Sequence, residues 1–217
     1  CDNCNKIISS KYNLNKHNII GGGAFSKIYT ISSSEKNKKY IVKNHDGDNK
    51  YEAINEIEVL LKIKKNRTKF KEELTKIIGN LQIPKSKLIT LKDYYLSEDN
   101  IYTIFKKYTC TIEEFNIQYN KFFNSLLPLQ LIKKFSNSLF IGLFELSISG
   151  LIHSDIKPDN IMVNVDGYNN INTLFKDIKK KKINLDKLFQ ITDIKIIDFN
   201  KTQKEKSLFK STSIQTL

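Results

Sequence analysis

A glycine-rich turn and a lysine one strand further along are residues whose types and spacing could bind phosphate. Glycine lets backbone N–H groups approach phosphate oxygens without a clash from Cβ. Lys43 ends the β-rich run Tyr40–Lys43 and could bring a positive charge to the same phosphates. A plain hairpin turn and a solvent-facing lysine are the competing interpretations. The predicted phosphate-contacting residues of the turn are Ile20, Gly21, Gly22, Gly23, Ala24, Phe25, Ser26, Lys27 and Ile28.

A helix that could carry an acidic partner for Lys43 is expected at residues 51–65, where apolar side chains recur at helical spacing. Glu56 would face inward and hold Lys43 in an ion pair. Glu52 and Glu58 are alternatives, because only some of the three glutamates can share a helix face. The apolar positions of this helix are Ile54, Ile57, Leu60 and Leu61.

The run His153-Ser154-Asp155-Ile156-Lys157-Pro158-Asp159-Asn160 is the most specific motif in the chain. It matches the catalytic loop of protein kinases, with the same spacing from Asp to Asn. The later run Ile196-Ile197-Asp198-Phe199-Asn200 lies where those kinases have Asp-Phe-Gly. The chain therefore resembles eukaryotic-type protein kinases from about Tyr12 to Leu217.

This resemblance implies that the chain binds ATP with Mg²⁺ and transfers the γ-phosphate to a serine or threonine hydroxyl of a protein. Asp155 would accept the hydroxyl proton, and Lys157 would neutralise charge developing on the γ-phosphate. Asn160 and Asp198 would bind magnesium. Asn200 replaces the usual glycine, and we expect the turn to survive because asparagine tolerates positive φ.

Four local features are similar to the serine/arginine-rich-protein kinase family. They are Phe-Ser in the glycine loop, the helix approach Lys50–Ile57, His-Ser-Asp-Ile-Lys-Pro in the catalytic loop, and Ile-Gln-Thr at residues 214–216. The second feature favours Glu56 as the partner of Lys43. The family's preference for Arg-Ser repeats is not carried over, because basic substrates require acidic docking surface and this chain is strongly basic.

Ser154 stands where most kinases have an arginine that pairs with a phosphorylated activation loop. We therefore predict an activity that does not require phosphorylation of that loop.

The secondary structure predicted around these residues changes along the chain. Strands with one helix come first, and mainly helical segments follow. We predict an α+β, protein-kinase-like two-lobe fold with a β-rich N-lobe, one main N-lobe helix and a partial helical C-lobe. The expected domains are an extension at 1–10, an N-lobe and hinge at 11–108, and a C-lobe at 109–217. A long helix is expected at 129–149, ended by Gly150.

Residues 166–190 lengthen the gap between the two magnesium-binding motifs. We expect a disordered insert; docking or localisation, including weak nuclear import through Lys179–Lys182, is the alternative. No Ala-Pro-Glu follows Asn200, so we expect the chain to stop within its activation segment. A pseudokinase or nucleotide-binding regulatory fragment is therefore a second hypothesis.

The net charge of +13 raises a third hypothesis, a basic nucleic-acid-binding protein. It is disfavoured because Arg67 is the only arginine, and arginine is the preferred residue for bidentate phosphate and guanine contacts. No signal peptide or membrane-spanning run is present in the sequence, so we expect no membrane partner and an intracellular, cytoplasmic or nuclear location. The sequence does not predict an oligomeric state. Cys1 and Cys4 are expected to be free thiols, although a zinc site with His17 and further ligands stays open.

Overall fold

The computed structural model describes residues 12–23, 26–33, 39–79 and 85–205, and these form two compact units. The first unit holds the described residues up to Lys64, with Thr90–Lys107 and Phe199–Lys201. The second holds Lys65–Ile89, Tyr108–Asp198 and the described residues from Thr202. Lys65–Ile89 therefore group with the second unit, and the predicted domain boundaries stay predictions.

A five-stranded antiparallel sheet and one α-helix form the first unit. The strands are β1 (Tyr12–Gly23), β2 (Ser26–Ser33), β3 (Lys39–Asp46), β4 (Leu91–Leu96) and β5 (Asn100–Lys106), and they lie in the order β1-β2-β3-β5-β4. β1 begins earlier than expected and includes the glycines predicted to form a turn: Gly21–Gly23 pair with residues of β2.

The helix of the first unit, α1 (Lys50–Lys65), confirms the periodicity predicted at 51–65. Glu52 lies in its first turn, and its last turn ends in lysines, so both ends suit the helix dipole. Its buried side is rotated from the predicted one, because Ile54 and Leu61 are each 41% exposed. The buried positions are Ala53, Glu56, Ile57, Val59, Leu60 and Ile63.

The second unit contains five α-helices among its described residues. Two of them, α2 (Arg67–Ile78) and α3 (Ile112–Phe123), were not predicted. Thr111 and Glu114 start α3 with a reciprocal capping box. The predicted long helix is α4 (Leu129–Ile148), and Gly150 follows it with φ 60°, as a terminating glycine should. The remaining helices are α5 (Ile171–Lys179) and α6 (Leu185–Ile191).

Short strands of the second unit lie directly before and after the catalytic-loop motif. Strands β6 (Cys110–Thr111), β8 (Ile161–Val165) and β9 (Thr192–Ile196) form one antiparallel sheet. Strands β7 (Leu151–Ile152) and β10 (Gln203–Lys204) form another. The motif therefore lies between β7 and β8, and Asp198 follows the end of β9.

The expectation of a disordered insert at 166–190 is wrong. Asn170 and Asn184 cap α5 and α6 through their side-chain oxygens. Apolar residues of these helices and of their connection lie in the core of the second unit because they recur at helical spacing, whereas the lysines face solvent. The buried residues of this region are Leu174, Phe175, Ile178, Ile183 and Leu188.

None of the described helices combines the length and apolar character needed to cross a membrane.

Candidate active site

The β1–β2 hairpin requires glycine at one position and leaves another open. In the hairpin register Gly22 pairs with Lys27, and a Cβ on Gly22 would lie only 2.7 Å from the Ser26 carbonyl oxygen. A Cβ on Gly21 would meet nothing within 4 Å. Gly22 therefore serves the hairpin itself, and Gly21 leaves room for a ligand. Ala24 and Phe25 lie outside the described residues.

The other predicted hairpin residues differ in exposure. Ile20 is half exposed, at 51%, and Lys27 faces solvent. Ser26 and Ile28 are half-buried. Gly23 pairs with Ser26 across the turn.

The ion pair expected between strand and helix is present in the first unit. Lys43 Nζ lies 3.2 Å from Glu56 Oε2, and the two side chains are 15% and 2% exposed. Glu58 is exposed and Glu52 is half-buried, whereas the Glu56 side chain is buried and faces the sheet. Glu56 is therefore the ion-pair partner of Lys43. A buried carboxylate is costly unless it is paired, so the lysine and the glutamate depend on each other.

Sequence reasoning missed His45, which contributes to the surroundings of this pair. His45 is 2% exposed, and its Nε2 lies 3.9 Å from Glu56 Oε2. Side chains two residues apart on a strand point to the same face, so the position of His45 relative to Lys43 was a usable signal.

The catalytic-loop motif brings its three predicted residues together in the second unit. Asn160 donates from Nδ2 to the Asp155 carbonyl oxygen at 2.9 Å and to Asp155 Oδ2 at 3.0 Å. Lys157 Nζ lies 3.1 Å from the same Oδ2, and this hydrogen bond raises the pKa of Lys157. The Asp155 carboxylate is thus oriented by an amide and an ammonium group from its own loop.

A buried histidine links this loop to the segment that carries Asp198. His153 is 3% exposed, and its Nδ1 accepts a hydrogen bond from the Asp155 N–H. The ring proton therefore lies on Nε2, which donates to the Ile197 carbonyl oxygen at 2.8 Å. Ile197 N–H in turn donates to the Asn160 carbonyl oxygen at 2.9 Å.

The backbone strain near the Asp-Phe-Gly position does not fall where the sequence predicted. Asn200 has a negative φ, whereas Asp198 has φ 65°. The asparagine that replaces glycine therefore needs no unusual backbone conformation. Ser154 has φ 64° and is exposed, so both motifs contain one left-handed residue that is not glycine.

Two hydrogen bonds with α1 hold the residues after Asp198, and no sequence pattern predicted them. The Phe199 N–H donates to Glu56 Oε1 at 3.3 Å, and Asn55 Nδ2 donates to the Asn200 carbonyl oxygen at 2.9 Å. Phe199 is fully buried.

A further electrostatic feature lies at the start of α3. A hydrogen bond with Asp159 raises the pKa of Glu113.

Comparison with known proteins finds protein kinases, two of them named serine/threonine-protein kinases. The chain is 26% identical over 148 residues to the serine/threonine-protein kinase prpf4B of Dictyostelium discoideum, covering 67% of this chain and 16% of that protein. It is 26% identical over 207 residues to the "Probable serine/threonine-protein kinase clkA" of the same organism, covering 89% and 21%. A third match, to the dual specificity protein kinase YAK1 homolog of Arabidopsis thaliana, is 32% identical over 79 residues, covering 36% and 8%.

The chain thus spans about a fifth or less of the length of these relatives. No protein-family model matches it. All three are named as protein kinases, the class that the catalytic-loop motif predicted. The chain is therefore similar to the serine/threonine protein kinases.

Proposed function

We propose that this chain provides the ATP- and magnesium-binding part of a serine/threonine protein kinase with a two-lobe fold. The first unit corresponds to the β-rich N-lobe with its main helix, and the second to a partial, mainly helical C-lobe. The observation that carries the proposal is the convergence of Lys157 and Asn160 on one oxygen of Asp155. Together with the kinase relatives, it favours phosphate transfer over the pseudokinase and nucleic-acid alternatives, which no observation supports.

In the proposed reaction the substrate hydroxyl oxygen forms a bond to the γ-phosphorus of ATP as the bond to ADP breaks. Asp155 accepts the hydroxyl proton, because its carboxylate is held in one orientation by Asn160 and Lys157. Lys157 contributes positive charge where negative charge develops on the transferred group. Lys43, held by Glu56, binds the non-transferred phosphates, and the open space at Gly21 admits them close to the backbone.

The donor set around Asn160 and Asp198 fits magnesium. Both bonds of Asn160 to Asp155 use Nδ2, so its Oδ1 has the chemistry to face a cation, and Asp198 adds carboxylate oxygens. Across the part of the chain that the structure describes, no cluster of three or more His, Cys, Asp or Glu could hold a metal. Mg²⁺ commonly uses one or two protein ligands together with substrate phosphates, so a larger cluster is not needed. When bound, the ion would neutralise phosphate charge.

The proposed partner is a protein with a serine or threonine acceptor, and the proposed location is intracellular, in the cytoplasm or nucleus. Ser154 is exposed and offers no guanidinium group to a loop phosphate. Activity is therefore proposed to survive removal of activation-loop phosphate.

The test uses the purified full-length protein that contains this chain, radiolabelled ATP and mixed serine, threonine and tyrosine peptides. We expect label on serine or threonine peptides with magnesium and none with EDTA. Label on no peptide under any metal condition would overturn the proposal. Phosphatase pretreatment should leave the rate unchanged within about twofold, and loss of activity would contradict the phosphorylation-independent part.

A further inference from the structure

Two adjacent residues of α1, Asn55 and Glu56, hold the segment after Asp198 through different hydrogen bonds. Glu56 receives Lys43 on Oε2 and the Phe199 N–H on Oε1. Asn55 holds the next carbonyl, that of Asn200, through its amide group. Asn55 can therefore be changed without removing either partner of the Lys43–Glu56 ion pair.

Within the described part of the chain, the Asn200 side-chain oxygen does not hold this segment through a hydrogen bond of its own. Asn200 is half-buried, and its Oδ1 is buried without a hydrogen-bond partner among the described residues. Its backbone has a negative φ and gains nothing from glycine's freedom. The hydrogen bond from Asn55 therefore acts on the main chain of Asn200.

Asp198 lies between two anchored neighbours in the chain. On one side Ile197 exchanges hydrogen bonds with His153 and Asn160. On the other side Phe199 is held by Glu56. A left-handed backbone at a residue other than glycine costs about 1–2 kcal/mol and persists only when its surroundings fix it.

We propose that Asn55 is a positioning residue for phosphate transfer, since its amide anchors the Asn200 carbonyl and thereby keeps Asp198 in its left-handed conformation. Asn55 acts through the main chain and does not touch nucleotide or metal. This inference rests on the function proposed above, which assigns Asp198 to magnesium. It adds a determinant outside the recognised motifs.

The test compares Asn55→Asp with wild type in the full-length protein. Aspartate keeps the shape of asparagine, cannot donate to the Asn200 carbonyl, and adds one negative charge. Asn137→Asp is the matched control, because Asn137 is exposed on α4 and the charge change is the same. Two readouts are needed, amide hydrogen exchange without nucleotide and steady-state kinetics.

For Asn55→Asp we expect exchange of the peptide spanning 197–201 to become about tenfold faster than in wild type. We expect kcat to fall about tenfold, the magnesium concentration for half-maximal rate to rise about threefold, and KM for the peptide to stay unchanged. Asn137→Asp should match wild type in every readout.

If the peptide spanning 197–201 exchanges at the same rate in Asn55→Asp as in Asn137→Asp, the proposal that Asn55 anchors this segment is wrong. Faster exchange with wild-type kcat and magnesium dependence would overturn the positioning role and leave Asn55 a merely structural residue. If wild type itself transfers no phosphate, the function proposed above fails, and the exchange comparison still decides whether Asn55 anchors the segment.

Discussion

The ion pair of the first unit and the catalytic-loop cluster of the second are built in opposite ways. Lys43 and Glu56 are 13 residues apart, on a strand and a helix of the first unit. Asp155, Lys157 and Asn160 fall within one loop of the second unit and orient each other through local bonds. The loop geometry is therefore contained in its motif, whereas the ion pair depends on how Ala53 and Ile57 pack α1 against Ile101.

Substitutions in the loop and substitutions around the ion pair should therefore have different effects. A change in the loop should act on the chemical step directly. A change around the ion pair should act through the placement of α1 and should affect nucleotide use more than the fold.

The largest effect is expected for Asn160→Ala, which removes both bonds to Asp155 and one proposed magnesium ligand. We expect kcat to fall about 10³-fold. The free energy of unfolding should fall by about 1–2 kcal/mol, because Asn160 is only 6% exposed and its partners are left behind. Kinetics and chemical denaturation measure the two effects. Asn164→Ala is the control, since the Asn164 side chain donates to the exposed Asp166; a similar loss there would contradict the assignment.

A large effect on stability without a role in chemistry is expected for Phe175→Ala. Phe175 lies among Phe115, Tyr119, Phe122 and Phe123, with ring centroids 5.4–6.4 Å away. Truncating such a residue should cost about 3–4 kcal/mol of unfolding free energy. Phe140→Ala, at a ring that is 69% exposed, should cost under about 0.5 kcal/mol. Equal costs in urea unfolding would mean that 166–190 is not part of the core.

The ion pair is tested by Glu56→Gln, which keeps an acceptor for the Phe199 N–H and removes the charge that holds Lys43. We expect kcat/KM for ATP to fall about 100-fold, a loss of about 2.7 kcal/mol of transition-state stabilisation. Glu58→Gln makes the same change at an exposed position of α1 and should have no effect. An unchanged kcat/KM for ATP in Glu56→Gln would mean that the ion pair does not contribute to phosphate transfer from ATP.

The smallest effects should come from the glycine hairpin and should differ between neighbours. Gly22→Ala should lower the melting temperature, because its Cβ would lie 2.7 Å from a backbone oxygen. Gly21→Ala should leave the melting temperature unchanged and raise KM for ATP about threefold, because its Cβ meets only open space where phosphates are proposed to enter. Calorimetry and initial rates distinguish the two, and a lower melting temperature for Gly21→Ala would refute this division.

The sequence predicted contacts within a short motif better than contacts between distant elements. Helical spacing left Glu52, Glu56 and Glu58 as candidate partners of Lys43, and only the resemblance to a kinase family favoured Glu56. Motif spacing was enough to collect Asp155, Lys157 and Asn160. The rotation of α1, which exposes Ile54 and Leu61, could not be predicted because periodicity does not say which neighbour covers a wide apolar face.

Two other features were missed for different reasons. In α5 the capping Asn170 and the spacing of Ile171, Leu174 and Phe175 were present in the sequence, but the lysines around them suggested disorder. The bond from Asn55 to Asn200 had no sequence signal, because it joins residues 145 positions apart and one of its groups is a backbone carbonyl.

The most direct measurement of the central claim compares Asp155→Asn with wild type in the full-length protein, measuring both magnesium–ATP affinity and phosphate transfer. The amide preserves the size of the carboxylate and cannot accept the proton. We predict ATP affinity within about twofold of wild type and a transfer rate about 10³-fold lower. Transfer at the wild-type rate would contradict the assignment of Asp155 as the proton acceptor.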